Sequence, residues 1–257
     1  MGVVSSITQR TVTETISTVT RWGDEPEVIY NPRSMVFDGT TGYYKITGLT
    51  ETPSVLTCVV RFKCPPKAGE SSRQVVEATG DSGGSAIGMV VLGADNAHSP
   101  NKLYVDCATT TTLLYRTASK VVVADNQWHT VVLSFNSAGQ ASFYIDGVDA
   151  DDTDYYIRVA PTAGTIAPIT RYSLAAYANG GGWLNGAINY TGLHDVYIAD
   201  PTVFDHPTNG LQELDEATWT EWTSQPLFWH DEGTMTANKG TAGNMTVYGT
   251  ITGPVIG

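Results

Sequence analysis

Charge is scarce in this chain. Only 16% of its 257 residues are Asp, Glu, Lys or Arg, so the polar surface must come mainly from Thr, Ser, Asn and Gln, as in β-proteins with solvated sheet faces. Positive charge is scarcer still: 14 Lys and Arg stand against 26 Asp and Glu, for a net charge of -12. Such a polyanion repels phosphate backbones, which argues against nucleic acid as a partner, and it is poorly attracted to anionic lipid headgroups. No apolar run approaches the ~18 residues of a membrane-spanning helix, so no membrane insertion is expected. The opening residues lack a basic segment followed by an apolar one, so no secretory leader is expected. Cysteine is limited to Cys58, Cys64 and Cys107, an odd number that implies no closed disulfide framework. Cys58 and Cys64 fall on one expected strand, roughly 20 Å apart at strand rise, far beyond disulfide reach. Three small buried thiols suit assembly in a reducing cytosol. Missing too are a P-loop, a dinucleotide fingerprint, a G-x-S-x-G elbow and any His pair at zinc spacing.

What is present is strand after strand. The chain holds 26 glycines and 12 prolines, enough to punctuate many turns, and no long amphipathic helix separates its apolar runs. Residues 1–33 are rich in Thr, Val and Ser, and their β-branched density favours an extended arm over a helix. Two readings of it stand: a disordered tail, or an arm for assembly or anchoring that orders against a partner. In "VLTCVVRFKC", Leu56, Cys58, Val60, Phe62 and Cys64 alternate with Thr57, Arg61 and Lys63. A period of two with one polar face predicts a half-buried antiparallel strand. In "NQWHTVVLSFNSAGQASFYIDG", Val131, Leu133 and Phe135 face one way and meet Ala141, Phe143 and Ile145 on the return strand. The five-residue loop "NSAGQ" joins the two. The expected fold class is all-β, an antiparallel two-sheet sandwich over 34–200. An N-terminal arm (1–33) precedes it, and a C-terminal extension (201–257) follows with one short helix in "LQELDEATWTEW" and a last strand or two.

The order of these pieces carries a resemblance. "VFDGTTGYYKI", "VLTCVVRFKC", "QWHTVVLSFNSAGQASFYIDG" and "WLNGAINYTGLHDVYIAD" together resemble the laminin-G-like group of the concanavalin A-like lectin and glucanase superfamily. The resemblance implies a jelly roll, with Trp128, Asp146–Gly147 and Asp38–Gly39 in structural roles at strand ends and turns. Glucanases of that superfamily carry an E-x-D-x-x-E strand. The nearest counterpart here, Glu213-Leu-Asp215-Glu216-Ala-Thr218, ends on threonine, so no enzymatic activity is expected. The end of the chain, "QPLFWHDEG" followed by "GTMTANKGTAGNMTVYGTITG", resembles the C-terminal ending of tailed-phage virion proteins. That likeness implies a virion part assembled in a bacterial cytoplasm, a capsid decoration or a tail or fibre component. Its partners would be other virion proteins, copies of itself (a trimer before a dimer) and host-surface glycan. A free-standing carbohydrate-binding module, or an inactive glycosidase-like lectin, is the alternative.

Two clusters are candidate sites. "YANGGGWLNG" offers Tyr177, Asn179, Trp183 and Asn185 around three glycines, an aromatic platform with amide hydrogen-bonders of the kind glycans need. The acidic stretch "DGVDADDTD" offers Asp149, Asp151, Asp152 and Asp154 as oxygen ligands for calcium, without the EF-hand glycine or terminal glutamate. No other cofactor is expected. His129, beside Trp128 at the head of a strand, reads as a packed or hydrogen-bonded residue.

Overall fold

The computed structural model describes residues 17–19, 27–29, 33–51, 53–69, 71–80, 85–200, 227–229 and 244–256. Every regular element among them is a strand. In chain order these are β1 (Ser17–Val19), β2 (Glu27–Ile29), β3 (Arg33–Asp38), β4 (Tyr43–Glu51), β5 (Val55–Lys63) and β6 (Arg73–Thr79). Then come β7 (Ser85–Val91), β8 (Lys102–Ala108), β9 (Leu113–Val122), β10 (His129–Asn136), β11 (Ala141–Ile145) and β12 (Val148–Asp149). Last are β13 (Ile169–Leu174), β14 (Asn185–His194), β15 (Leu227–Trp229), β16 (Thr246–Tyr248) and β17 (Ile251–Ile256). The helix expected in 211–222 lies outside the described residues.

Two antiparallel sheets form the sandwich expected from the alternation. The first runs β12-β11-β10-β5-β14-β3-β17, with β15 added on β14; the second runs β16-β4-β13-β6-β7-β8-β9. Within the arm, β1 pairs antiparallel with β2. The central hairpin has the expected register: Val131 opposes Ile145, Leu133 opposes Phe143 and Phe135 opposes Ala141. Its loop closes with Asn136 N–H donating to Gln140 O at 3.0 Å, while the Asn136 side-chain oxygen accepts from Ala138 and Gln140 N–H, each at 3.1 Å. Cys58, Val60 and Phe62 from the first sheet and Ile87, Met89, Val105 and Cys107 from the second meet in one core. All three cysteines are free and buried.

β5 departs from expectation. It is buried on both faces rather than one: the outward residues Thr57, Val59 and Arg61 are 0%, 0% and 5% exposed. After β14 the chain crosses the outer face of the first sheet over Thr57 and Ser134, while Arg61 lies against the Trp128 ring. Thr57 Oγ1 donates to Val196 O at 2.6 Å, Ile198 N–H donates to Ser134 Oγ at 2.8 Å, and Tyr144 Oη donates to Ala199 O at 3.0 Å. Hydroxyl side chains of the sheet satisfy backbone groups that the crossing segment, having no ladder of its own, would otherwise turn unpaired onto the sheet. Trp128 lies just ahead of β10, with the Arg61 guanidinium 5.2 Å and the Lys63 ammonium 4.9 Å from its ring.

Both edges of the sandwich are tied. At one edge, residues 150–159 bridge the sheets: Ser119 pairs with Asp151 and Arg116 with Val159. At the other, the last strands divide between the sheets. β16 pairs with β4, and β17 pairs with β3. The turn joining β16 to β17 presses so closely on the β3–β4 turn that a Cβ on Gly42 would lie 2.2 Å from Thr250 O.

Candidate functional site

The two expected clusters occupy different places. Loop 175–184 carries Tyr177, Asn179 and Trp183 from the second sheet to the first, and Asn185 opens β14. Asn179 and Asn185 are exposed, whereas Tyr177 and Trp183 are half-buried. The Tyr177 ring fills the space a Cβ on Gly182 would need, 2.5 Å from Cε2, and the shielded Trp183 Nε1 meets no hydrogen-bond acceptor. The Tyr177 ring therefore lies against the loop's own backbone at Gly182. Its tip is anchored on the second sheet: Ala178 N–H donates to Glu77 Oε2 at 2.6 Å, and Lys45 Nζ donates to Ala178 O at 3.2 Å.

Cations from outside the acidic stretch face three of its carboxylates. Asp149 pairs with Lys120 at 2.6 Å, Asp152 with Lys102 at 3.3 Å, and Asp151 with Arg158 at 2.7 Å. Asp154 N–H donates to Asp152 Oδ1 at 3.2 Å. Among the described residues no group of three or more His, Cys, Asp or Glu is placed to hold a metal ion. Lys120 also feels the charges of Asp151 and Asp152.

A third cluster escaped the sequence reading. In β8, Leu103, Val105 and Cys107 point into the core, and Lys102, Tyr104 and Asp106 point outward. The register carries Asp106 into a polar row across the second sheet: Thr246, Lys45, Ser173, Glu77, Gly88, Asp106 and Arg116 oppose one another strand by strand. Gly88 has a physical reason to lack a side chain, because its Cβ would lie 2.6 Å from Asp106 Oδ1. Arg116 Nη2 stands 3.6 Å from Asp106 Oδ2, and Tyr104 Oη donates to the same oxygen at 3.2 Å. Burial pushes the Asp106 carboxyl pKa up; Arg116 and the Tyr104 hydroxyl oppose that rise without cancelling it. The Arg116 guanidinium lies 5.4 Å from the Tyr104 ring centroid. From Tyr104 a line of rings runs outward: Tyr155 edge-on at 6.2 Å, Tyr156 edge-on to Tyr155 at 5.1 Å, and His98 stacked on Tyr156 at 3.8 Å. Tyr156 is 57% exposed. The alternation in "KLYVDCA" was the available signal for this face. His98 lies just upstream of β8 and Arg116 on the next strand, whereas Tyr155 and Tyr156 come from a more distant segment that only the fold brings back.

His129 is a buried structural clamp, as its position suggested. Its Nδ1 lies 2.7 Å from Asp146 Oδ2 and its Nε2 3.1 Å from Asp125 Oδ1. Burial alone would lower the imidazole pKa, but the hydrogen bonds and charges of Asp146, then Asp125, outweigh it and hold the pKa above its ordinary value. Asp146 also accepts from Thr130 N–H at 2.8 Å, which fixes the end of the hairpin.

The chain is similar in structure to proteins far from it in sequence. It aligns with a native heptameric SAP-like pentraxin from Limulus polyphemus at a TM-score of 0.53 and 12% identity, covering 84% of this chain and 94% of that one. It aligns with a protein of Bacteroides ovatus ATCC 8483, described as a candidate carbohydrate binder, at a TM-score of 0.57 and 12% identity, covering 92% of this chain and 65% of that one. Likeness at this identity speaks to the fold alone. No curated protein sequence gives a significant match. Residues 38–196 match the family model for the concanavalin A-like lectin/glucanases superfamily. That match spans more than half of the 257 residues, and the chain belongs to this superfamily.

Proposed function

We propose that this protein is a non-enzymatic structural component of a tailed-phage virion, a capsid decoration or a tail or fibre part, whose jelly roll binds host-surface glycan. The observation that carries the glycan reading is the outer face of the second sheet, where Tyr104, Asp106 and Arg116 adjoin the exposed Tyr156–His98 stack. Aromatic rings beside a few fixed polar groups are what a sugar-binding surface needs. Threonine at 218, where the glucanase pattern has its last carboxylate, supports binding without hydrolysis. The virion setting is supported by the likeness of residues 225–253 to tailed-phage virion endings, and by three free buried thiols suited to assembly in a reducing cytoplasm. Reading residues 1–33 as an assembly arm supports self-association, for which a trimer is proposed before a dimer.

A glycan array probed with the full chain tests the binding, and silence across the array overturns it. Mass measurement of the full chain beside a chain starting at Ser34 tests the arm. An oligomer that falls to a monomer on truncation supports the virion part. A full chain that is monomeric and still binds sugar favours the free-standing carbohydrate-binding module.

A further inference from the structure

The lectin reading above can be narrowed to a class of ligand, and the inference rests on that reading. We propose that the site takes a neutral oligosaccharide longer than one pyranose ring. One ring stacks on the Tyr156–His98 pair, and a neighbouring ring binds Asp106 and Arg116 through adjacent hydroxyls.

The two ends of the site offer different chemistry. At the outer end, Tyr156 is 57% exposed and held flat by His98 at 3.8 Å with the rings 25° apart. A rigid exposed ring face suits the apolar C–H face of a pyranose and costs little side-chain entropy on binding. At the inner end, the Asp106 and Arg116 side chains retain 17% and 26% exposure and lie 3.6 Å apart. A carboxylate only accepts and a guanidinium only donates, so two neighbouring hydroxyls, each both donor and acceptor, satisfy the pair together. The ends are joined by ring-to-ring steps of 5.1 Å (Tyr156 to Tyr155) and 6.2 Å (Tyr155 to Tyr104). A single sugar ring therefore reaches one end or the other, and a chain reaches both.

Charge decides between neutral and acidic sugars. The cations of this cluster already face carboxylates: Arg116 faces Asp106, and Lys102 faces Asp152. A uronate would compete with those partners inside the field of a chain carrying a net charge of -12. A neutral glycan inserts its hydroxyls without displacing an ion pair.

The test is titration calorimetry of the full chain with neutral gluco-, galacto- and manno-oligosaccharides of increasing length, and with glucuronic and galacturonic oligomers. The expected result is affinity that rises about tenfold or more from mono- to disaccharide in one neutral series, with the acidic series at least about tenfold weaker. Tyr156→Ala, at an exposed position that does not threaten folding, is expected to abolish the gain with length and keep the monosaccharide affinity. Asp106→Asn is expected to weaken both. Tighter binding of an acidic series, or an unchanged length dependence in Tyr156→Ala, overturns the inference and leaves the lectin reading standing. Binding of no sugar at all removes both.

Discussion

The clamp at His129 makes stability depend on pH in a definite direction. Its imidazole is 11% exposed and bridges Asp146 and Asp125, whose side chains are 47% and 40% exposed. A hydrogen bond to a charged group contributes roughly 1.5–3 kcal/mol when shielded. Both carboxylates are more than a third exposed, so screening reduces the pair together to about 1–2 kcal/mol. The folded pKa of His129 is raised. Its contribution is therefore fully present below the ordinary histidine value of about 6.5 and is lost as pH rises through the raised folded value. Asp125 acts in the opposite sense. Burial would raise its carboxyl, but hydrogen bonds from Gln127 N–H and His129 hold it below the ordinary range, so its contribution is lost as pH falls through that lowered value. Calorimetry of the native chain and of His129→Gln, at about pH 5.5 and again about three units higher, reads the effect. The native chain is expected to lose about 1–2 kcal/mol over that span, roughly 2–8 °C in Tm. Growing negative charge destabilises both proteins as pH rises, so the difference between their slopes is the measured quantity. Equal slopes would refute the clamp.

Three further outcomes are expected. Gly88→Ala places a Cβ against the Asp106 carboxylate, so it should cost about 1–3 kcal/mol in urea denaturation and weaken glycan binding along with stability. Phe143→Ala empties a core position opposite Leu133 and should cost about 3–5 kcal/mol, read from the same denaturation midpoints. Chelation of divalent cations should leave Tm unchanged because Asp149, Asp151 and Asp152 are neutralised by Lys120, Arg158 and Lys102, whereas Asp151→Asn should cost about 1 kcal/mol; a chelator-induced drop in Tm would show that the loop holds a cation.

The sandwich was legible because its signal is local. Alternation in β5, β8 and β10 and the register of the central hairpin follow from a strict period of two, which any stretch of strand reveals by itself. The burial of Thr57 was not legible, because the segment that crosses it, 195–200, lies far along the chain and offers backbone groups to the sheet's hydroxyls, which leave no pattern in its own sequence. The site followed the same division. Tyr177 and Trp183 drew attention as glycine-flanked aromatics, yet Gly182 lets the Tyr177 ring fold back onto the loop. Tyr104 and Asp106 sat in an ordinary-looking strand, and their significance came from Arg116 across the ladder and the rings of 155–156 and 98. Non-local convergence of this kind leaves no periodic trace.

The division of β16 and β17 between the two sheets bears on how the chain reaches its native state on the ribosome. Tyr43 waits for Tyr248, and Phe37 waits for Ile251, so β3 and β4 gain these partners only from strands made far later along the chain. Closing loops of that length is entropically costly and slow: the second sheet lacks β16 until Tyr248 has left the exit tunnel, and the first lacks β17 until Ile256 has. At elongation rates of roughly 5–20 residues per second, the edges of β3 and β4 stand open for many seconds of synthesis. During that interval nascent chains on one polysome present matching unpaired edges to one another. A chain cut before Thr246 would keep both edges open permanently.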